Sequence, residues 1–432
     1  MDTFLAPQEY EAYIRKNETR NFVVNVLDLT FFTFANSFIY GATILSLYAS
    51  YLTTSAVLIG LIPTIQMVGY SLPQLLLARR AEILTRKKPF IQKISIMERL
   101  PYLFVALGIL AWPDAPRWLS YTILAMGLAL AAGTGGLITP AWKTMLAKLV
   151  PVQRRGRLFG LSGALGGLLG VGGAAVSRHI LATYSYPTSF GICFALCFAC
   201  QVVSWVFLAL NREPAKETPR EKETVSARQY WRRLPGVLRD HPNFGRYLLS
   251  RALITLGAMG TAFYVVYARD TFKITDAFVA NLTMTALISQ TVSTPFMGWL
   301  ADRLGHKLLM ELGALVGVGA VLLVLLAPNV LWLYAVFALV NASASAMSVA
   351  AFGITMEFSD PEDLPTFEAL AGTITAGPVI LAPLLGGWLA DAAGYNALFV
   401  VALAFGIAGW ISARWGVREP RHEKRSLGPV EA

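Results

Sequence analysis

Hydrophobic positions along this chain fall in long unbroken runs, not in the alternation of a half-buried strand. Twelve runs of membrane-spanning length can be marked, at 22–50, 55–78, 89–112, 118–142, 158–182, 188–210, 246–268, 278–300, 308–327, 330–354, 368–390 and 397–415. About 20 mostly apolar residues suffice for a transmembrane helix. The runs are Leu-, Ala- and Gly-rich and too long for barrel strands. They predict an all-α integral membrane protein of twelve transmembrane helices in two six-helix bundles. No apolar core precedes Phe22, so no targeting peptide is expected and the first run is expected to remain as a span.

The polar segments divide the chain into an N-terminal segment 1–21, a six-helix half 22–210, a linker 211–245, a second half 246–415 and a tail 416–432. The first part of the linker alternates in sign and is expected to be a flexible spacer. In its second part Trp231, Leu234 and Leu238 repeat at helical spacing among arginines, which predicts a short helix on the membrane surface. With both termini cytoplasmic, Arg117, Arg178, Arg269 and Lys273 fall outside and Arg99 and Arg251 within spans. All the others of the 36 Lys and Arg residues fall inside. Short basic loops set orientation, so this topology in the cell membrane is expected.

Composition fits this picture. The chain is 55% hydrophobic and 14% charged, against about 25% charged in soluble domains. Such a chain is not an ordinary cytosolic enzyme, a disordered protein or a secreted disulfide scaffold. The net charge of +10 reads as an orientation signal, and no nucleic acid is expected as a partner. Cys193, Cys197 and Cys200 lie in one apolar run and read as small hydrophobes.

Polar residues inside spans point to function, because lipid penalises them. In span one Asn21, Asn25, Asp28, Asn36, Thr43, Ser46 and Ser50 fall within an arc of roughly 80° on a helical wheel, with Phe32 and Ile39 completing the stripe. Span ten repeats the device with Asn341, Ser345, Ser348 and Thr355, joined by Phe352. Gln66 and Tyr70 on span two, and Asn281, Thr285 and Ser289 on span eight, extend the candidate substrate cavity. For any one Asn or Ser the competing reading is a helix–helix hydrogen bond. Intramembrane charges are few: Asp28, Glu98, Arg99 and Arg251. Asp28 lies on the stripe and is the proton-coupling candidate. Glu98 and Arg99 point about 100° apart and need not pair with each other; with Arg251 they are expected to form a structural charge network.

No nucleotide-binding loop, zinc-ligand set or hydrolase triad is visible. No metal, cofactor or enzymatic activity is therefore expected. A membrane enzyme or receptor would need a catalytic cluster or an added domain.

Residues 298–305 read GWLADRLG and residues 387–394 read GWLADAAG, at the ends of spans eight and eleven. These ends are equivalent if each half contains two three-helix units of opposite topology. The chain resembles the major facilitator superfamily: six spans, a basic linker, six spans. The family's loop signature matches Gly298, Asp302, Arg303, Gly305 and Lys307. The first-half copy, aligned through Pro73 and Pro295, departs from it with Leu76, Arg80 and Ile83. Gly156, Gly160, Gly163, Gly167, Gly170, Ala174 and Ser177 on span five are similar to the family's Gly-rich motif associated with antiporters; tight packing is the competing reading.

The resemblance implies a monomeric secondary transporter of a small-molecule substrate, working by alternating access in the lipid bilayer, with protons as the expected coupling ion. Export of an amphipathic compound is the reading preferred here. A sugar or other neutral polar solute, and uniport, stay open. The resemblance also implies a cytoplasmic gate. On one side stand Arg79, Arg80 and Arg86 with Arg154, Arg155 and Arg157; on the other stand Glu357, Asp360, Glu362 and Glu368 with Asp302 and Arg303.

Overall fold

The computed structural model describes residues 6–83, 85–215, 236, 238–358 and 364–419. Among these the secondary structure is helical throughout, with no strand. The helices follow the twelve runs. Span one is Pro7–Ser37, continued after a break by Gly41–Leu45 and Ser46–Leu52; spans two to six are Ala56–Ile83, Lys88–Ala111, Arg117–Leu149, Val152–Thr183 and Thr188–Ala209. Span seven is Pro242–Gly257 with Tyr264–Phe272, and spans eight to ten are Asp276–Leu304, His306–Leu326 and Trp332–Phe358. Leu364–Ile411 holds spans eleven and twelve, divided at Gly394. Among the described residues ten helices are long and apolar enough to cross a membrane. That number is ten because spans eleven and twelve join in one and the polar span eight is not included.

Span one departs from the sequence reading. Its helix begins at Pro7, well before the apolar run, and breaks at residues 38–40. Beyond the break the chain winds as a π-helix over Gly41–Leu45, and Ser46 Oγ donates to Gly41 O, five residues back. A wheel at 100° per residue does not carry through such a turn. Thr43, Ser46 and Ser50 therefore do not continue the face set by Asn25 and Asp28.

The chain forms two compact units. The first is 1–54 and 62–222 with residues 275–284; the second is 55–61 and 223–274 with residues 285–432. In the first, span one packs on spans five and six, and span three on spans four and six. Small residues set the closest approaches. A Cβ on Gly136 of span four would stand 2.6 Å from Gly69 O and 2.7 Å from Tyr70 O, both backbone atoms of span two. Backbone cannot yield as a side-chain tip can, so Gly136→Ala should cost about 1–3 kcal/mol. Gly133 meets nothing within 4 Å, and Gly133→Ala should be neutral or slightly stabilising in a helix. Denaturant titration of the detergent-purified variants separates the two outcomes.

The glycines of span five divide. Gly166 lies against Thr33, and Gly173 against Phe34 and Ser37, all on span one. Gly156, Gly160 and Gly163 meet nothing within 4 Å.

In the second unit span seven packs on the Leu364–Ile411 helix and span nine on span ten. Its core joins Phe244, Tyr247 and Phe367 with Met310, Ile354 and Leu370. Buried Glu311 on span nine pairs with Lys307 at 2.9 Å and Arg414 at 3.3 Å.

One device recurs in both units. Asn21 Nδ2 donates to Arg212 O at 3.1 Å, and the Arg212 amide donates to Asn21 Oδ1 at 2.9 Å. Asn243 makes the same pair with Arg418, at 3.1 and 2.8 Å. Each asparagine thus ties the start of its half to the segment that follows the last span of that half. The residue after each arginine is a glutamate that reaches the start of a third helix. Glu213 Oε2 accepts from the Lys87 and Lys88 amides at 2.8 and 2.7 Å, at the head of span three. Glu419 stands beside Gly305, at the head of span nine. Glu213 is completed by Lys148 Nζ at 3.1 Å, in a buried pair. Residues 211–215, grouped with the linker in the sequence reading, are therefore part of the first unit.

The side chains of Arg79, Arg80 and Phe352 lie outside the described residues, as do Asp360, Glu362, Trp231 and Leu234.

Candidate functional site

Within the first unit, spans one, two, three, four and six converge on a cavity of about 180 Å³ lined in part by Asp28, Phe32, Tyr70, Glu98, Arg99 and Trp142. Phe32 is one helical turn from Asp28 on span one, so the two project together. Span three brings Glu98 and Arg99, both buried, into the same space. Gly135 of span four makes room: a Cβ there would stand 2.7 Å from Glu98 Oε1 and 2.9 Å from the Tyr70 ring.

The polar groups form one chain of hydrogen bonds. Ser204 Oγ, on span six, donates to Asp28 Oδ1 at 2.6 Å and accepts from Arg99 Nη2 at 3.2 Å. Arg99 Nη1 donates to Glu98 Oε2 at 3.1 Å and to Ser95 O at 3.0 Å. Arg99 Nε donates to Gln201 O at 2.8 Å. The Tyr70 hydroxyl hydrogen-bonds to the other end of the chain, at Glu98. The guanidinium is thus held by two spans and faces both acids.

Glu98 and Arg99 pair directly, which the sequence reading left open. Helical neighbours diverge at Cβ, but their long side chains curl back into one space. Arg251 belongs to the second unit, where it stands 3.4 Å from the Tyr247 hydroxyl. The sequence reading did not mark Ser204, Gln201, Thr139 or Trp142. Ser204 and Gln201 are isolated polar positions in an otherwise apolar span, and only their burial beside Arg99 identifies them.

With both carboxylates ionised the cluster carries one net negative charge. A single proton, or the cationic end of a ligand, brings it to neutrality, which a poorly solvated site favours. The volume is below the roughly 300 Å³ of a drug-sized pocket. In this form it accommodates waters or one end of a larger molecule.

The other candidate positions are placed as follows. Asn25 is buried and donates to Asn21 O and to Asn211 Oδ1, and Asn36 donates to Phe32 O. Thr43 meets Thr283 hydroxyl to hydroxyl at 2.6 Å, and Gln66 lies beside Gly41. In the second unit Asn341 donates to Phe337 O, and Ser345 Oγ accepts from Ser293 and Thr294. Ser289 donates to Ala338 O, Ser348 is exposed, and Asn281 and Thr285 are half-buried.

At the linker-side ends Arg154 pairs with Glu18 at 3.0 Å and Arg155 donates to the Ala147 and Val150 carbonyls. Arg303 stacks over Trp299, and Glu357 bonds His306 at 2.6 Å. Arg86, Arg157, Asp302 and Glu368 are exposed. Among the described residues no cluster of His, Cys, Asp and Glu could hold a metal ion.

The sequence profile of the Major Facilitator Superfamily matches residues 29–268 and 247–432. A D-xylose-proton symporter superposes over 93% of this chain and 98% of its own, at a TM-score of 0.69 and 16% identity. A mutant of the nucleoside transporter NupG superposes over 90% of this chain and 98% of its own, at a TM-score of 0.68 and 11% identity. A Multidrug resistance protein B homolog of Mycobacterium tuberculosis (strain CDC 1551 / Oshkosh) is 34% identical over 144 residues, 33% of this chain and 26% of that protein. The matched stretch is thus about a quarter of the relative's length.

Proposed function

Because the chain belongs to the Major Facilitator Superfamily, a family of membrane transporters and not of enzymes, we propose that it exports an amphipathic compound in exchange for protons by alternating access. The carrying observation is the Asp28–Ser204–Arg99–Glu98 cluster at the aromatic-walled cavity. Its one net negative charge can be balanced by a proton or by a cationic substrate end, and competition for one charge is what exchange requires. Phe32 and Trp142 offer apolar faces to the remainder of such a substrate. The partial match to a multidrug resistance protein points the same way. The sugar reading draws less support, because the amides of Asn36 and Asn341 donate to the backbone of their own helices. The basic loops support a cytoplasmic position for both termini and the linker.

The test is transport in proteoliposomes with ethidium, an amphipathic cation, as probe. Wild type should accumulate ethidium against its gradient when a pH gradient is imposed. Asp28→Asn should abolish that accumulation and retain exchange of labelled for unlabelled ethidium. Unchanged uphill transport by the variant overturns the role of Asp28. Failure of the wild type to move ethidium overturns the substrate class.

A further inference from the structure

One acceptor is left open at the cavity of the first unit. Asp28 is 5% exposed and lines the cavity. Its Oδ1 is held by the Ser204 hydroxyl at 2.6 Å. Among the described residues no group donates to its Oδ2. A buried carboxylate oxygen without a donor is costly.

The neighbouring groups are not free to serve it. The Ser204 hydroxyl has one proton, spent on Oδ1. Arg99 has five N–H groups, and Gln201 O, Ser95 O, Glu98 Oε2 and Ser204 Oγ take four of them. The two carbonyls lie on spans six and three, so the guanidinium is fastened to both helices. The Thr139 hydroxyl donates to Gly135 O at 2.7 Å, and the Tyr70 hydroxyl is bonded to Glu98. Glu98 itself is enclosed. Its Oε2 is on Arg99, and its Oε1 lies so near span four that a Cβ on Gly135 would stand 2.7 Å from it. Of the two acids, Asp28 therefore holds the open acceptor.

Two kinds of cationic end would balance the net negative charge of the cluster. A quaternary ammonium has no hydrogen to donate and would rely on the aromatic faces of Phe32 and Trp142. A protonated amine or an amidinium meets the same faces and also donates an N–H to Asp28 Oδ2. Replacing the last N–H by a methyl removes that bond and sets carbon against a charged oxygen.

We propose that the site selects amphipathic cations whose charged end carries an N–H, discriminating against quaternary ammonium ions, and that Asp28 sets this specificity. The proposal rests on the exchange reading above and narrows its substrate class. Ethidium remains a suitable probe for that reading, because its aromatic amino groups carry N–H even though its ring nitrogen does not.

The experiment measures equilibrium binding of radiolabelled phenylbutylammonium, its dimethyl form and its trimethyl form to the purified full-length protein in nanodiscs at neutral pH. All carry the same apolar body and the same charge, and only the trimethyl form lacks N–H. The trimethyl form should bind about tenfold or more weakly than the dimethyl form, the effect of one hydrogen bond to a charged acceptor. The primary and dimethyl forms should differ by less than that. A loss that grows evenly with each methyl is exclusion by size and overturns the proposal. Equal or tighter binding of the trimethyl form overturns it, as does the absence of saturable binding by the primary form.

The role of Asp28 is read from the same ratio. In Asp28→Ala the dimethyl and trimethyl forms should bind about equally, because no acceptor is left to tell them apart. Asp28→Asn should do the same. Ser204 donates to its amide oxygen, which puts the NH₂ group where Oδ2 stood. If Asp28→Ala does not fold, Asp28→Asn decides. Each ratio is taken within one protein, so a smaller folded fraction lowers capacity and leaves the ratio unchanged. A wild-type ratio in Asp28→Asn overturns the assignment to Asp28. Tightest binding of the trimethyl form overturns this proposal alone and leaves export of amphipathic cations standing. Failure of the wild type to couple ethidium to protons overturns that reading and leaves these ratios untouched.

Discussion

Arg99→Leu should destabilise the protein by about 3–5 kcal/mol, measured as the shift of the denaturant midpoint in mild detergent. Arg99 is buried between two buried acids and donates to Glu98, Ser204, Ser95 O and Gln201 O. Removing the cation leaves the carboxylates without their counter-charge in a site of little water. Breaking one side of a buried ion pair carries a cost of this size. Arg99→Leu combined with Glu98→Gln should recover a good part of the loss, because the second change removes a charge the first exposed. Equal instability in the single and double variants would show that packing of the arginine, not charge balance, dominates. The pair Arg15–Glu11 supplies the comparison. Its side chains are 81% and 70% exposed, and Arg15→Ala should cost no more than about 1 kcal/mol.

Glu213→Ala should have an effect of similar size from a place no membrane-span argument reaches. The carboxylate takes the Lys87 and Lys88 amides, at the head of span three, on one oxygen and Lys148 Nζ on the other. Its side chain is 1% exposed and that of Lys148 is 8% exposed. Substitution removes a helix cap, worth about 1 kcal/mol, and strips the carboxylate from a buried ammonium, worth about 3–5 kcal/mol. Lys148→Met in the same chain should restore part of the difference. The same denaturant titration reads both, and a shift under about 1 kcal/mol for Glu213→Ala would contradict the burial and the bonds described.

The twelve helices were legible because a membrane leaves one strong signal, the unbroken apolar run. What that signal passes over is where helices stop being regular. The π-helical turn at Gly41–Leu45 lies inside an apolar stretch and changes the faces of Thr43 and Ser46 without changing composition. Asp28 could be singled out because an acid in a span is conspicuous. Its partner Ser204 could not, since one serine among Val, Phe and Leu has many structural uses. Glu98 and Arg99 were visible as charges, but their direct pairing was not, because a wheel places Cβ atoms and not the ends of long side chains. The pairs Asn21–Arg212 and Asn243–Arg418 left only a short echo, Arg-Glu-Pro at 212–214 and again at 418–420. Proximity turns that echo into a rule.

The anchoring of residues 211–215 also decides how the gene can be divided. To express the halves as two polypeptides, the natural choice from hydropathy would be to end the first at Leu210, where the apolar run stops. That fragment would lack Glu213 and the Arg212 backbone that holds Asn21, so span three and span one would each lose a tether. Ending it after Ala215 keeps both, and a second fragment that begins before Asn243 and extends past Glu419 keeps the matching set. The point of division is thus fixed by hydrogen bonds that lie beyond the membrane segment.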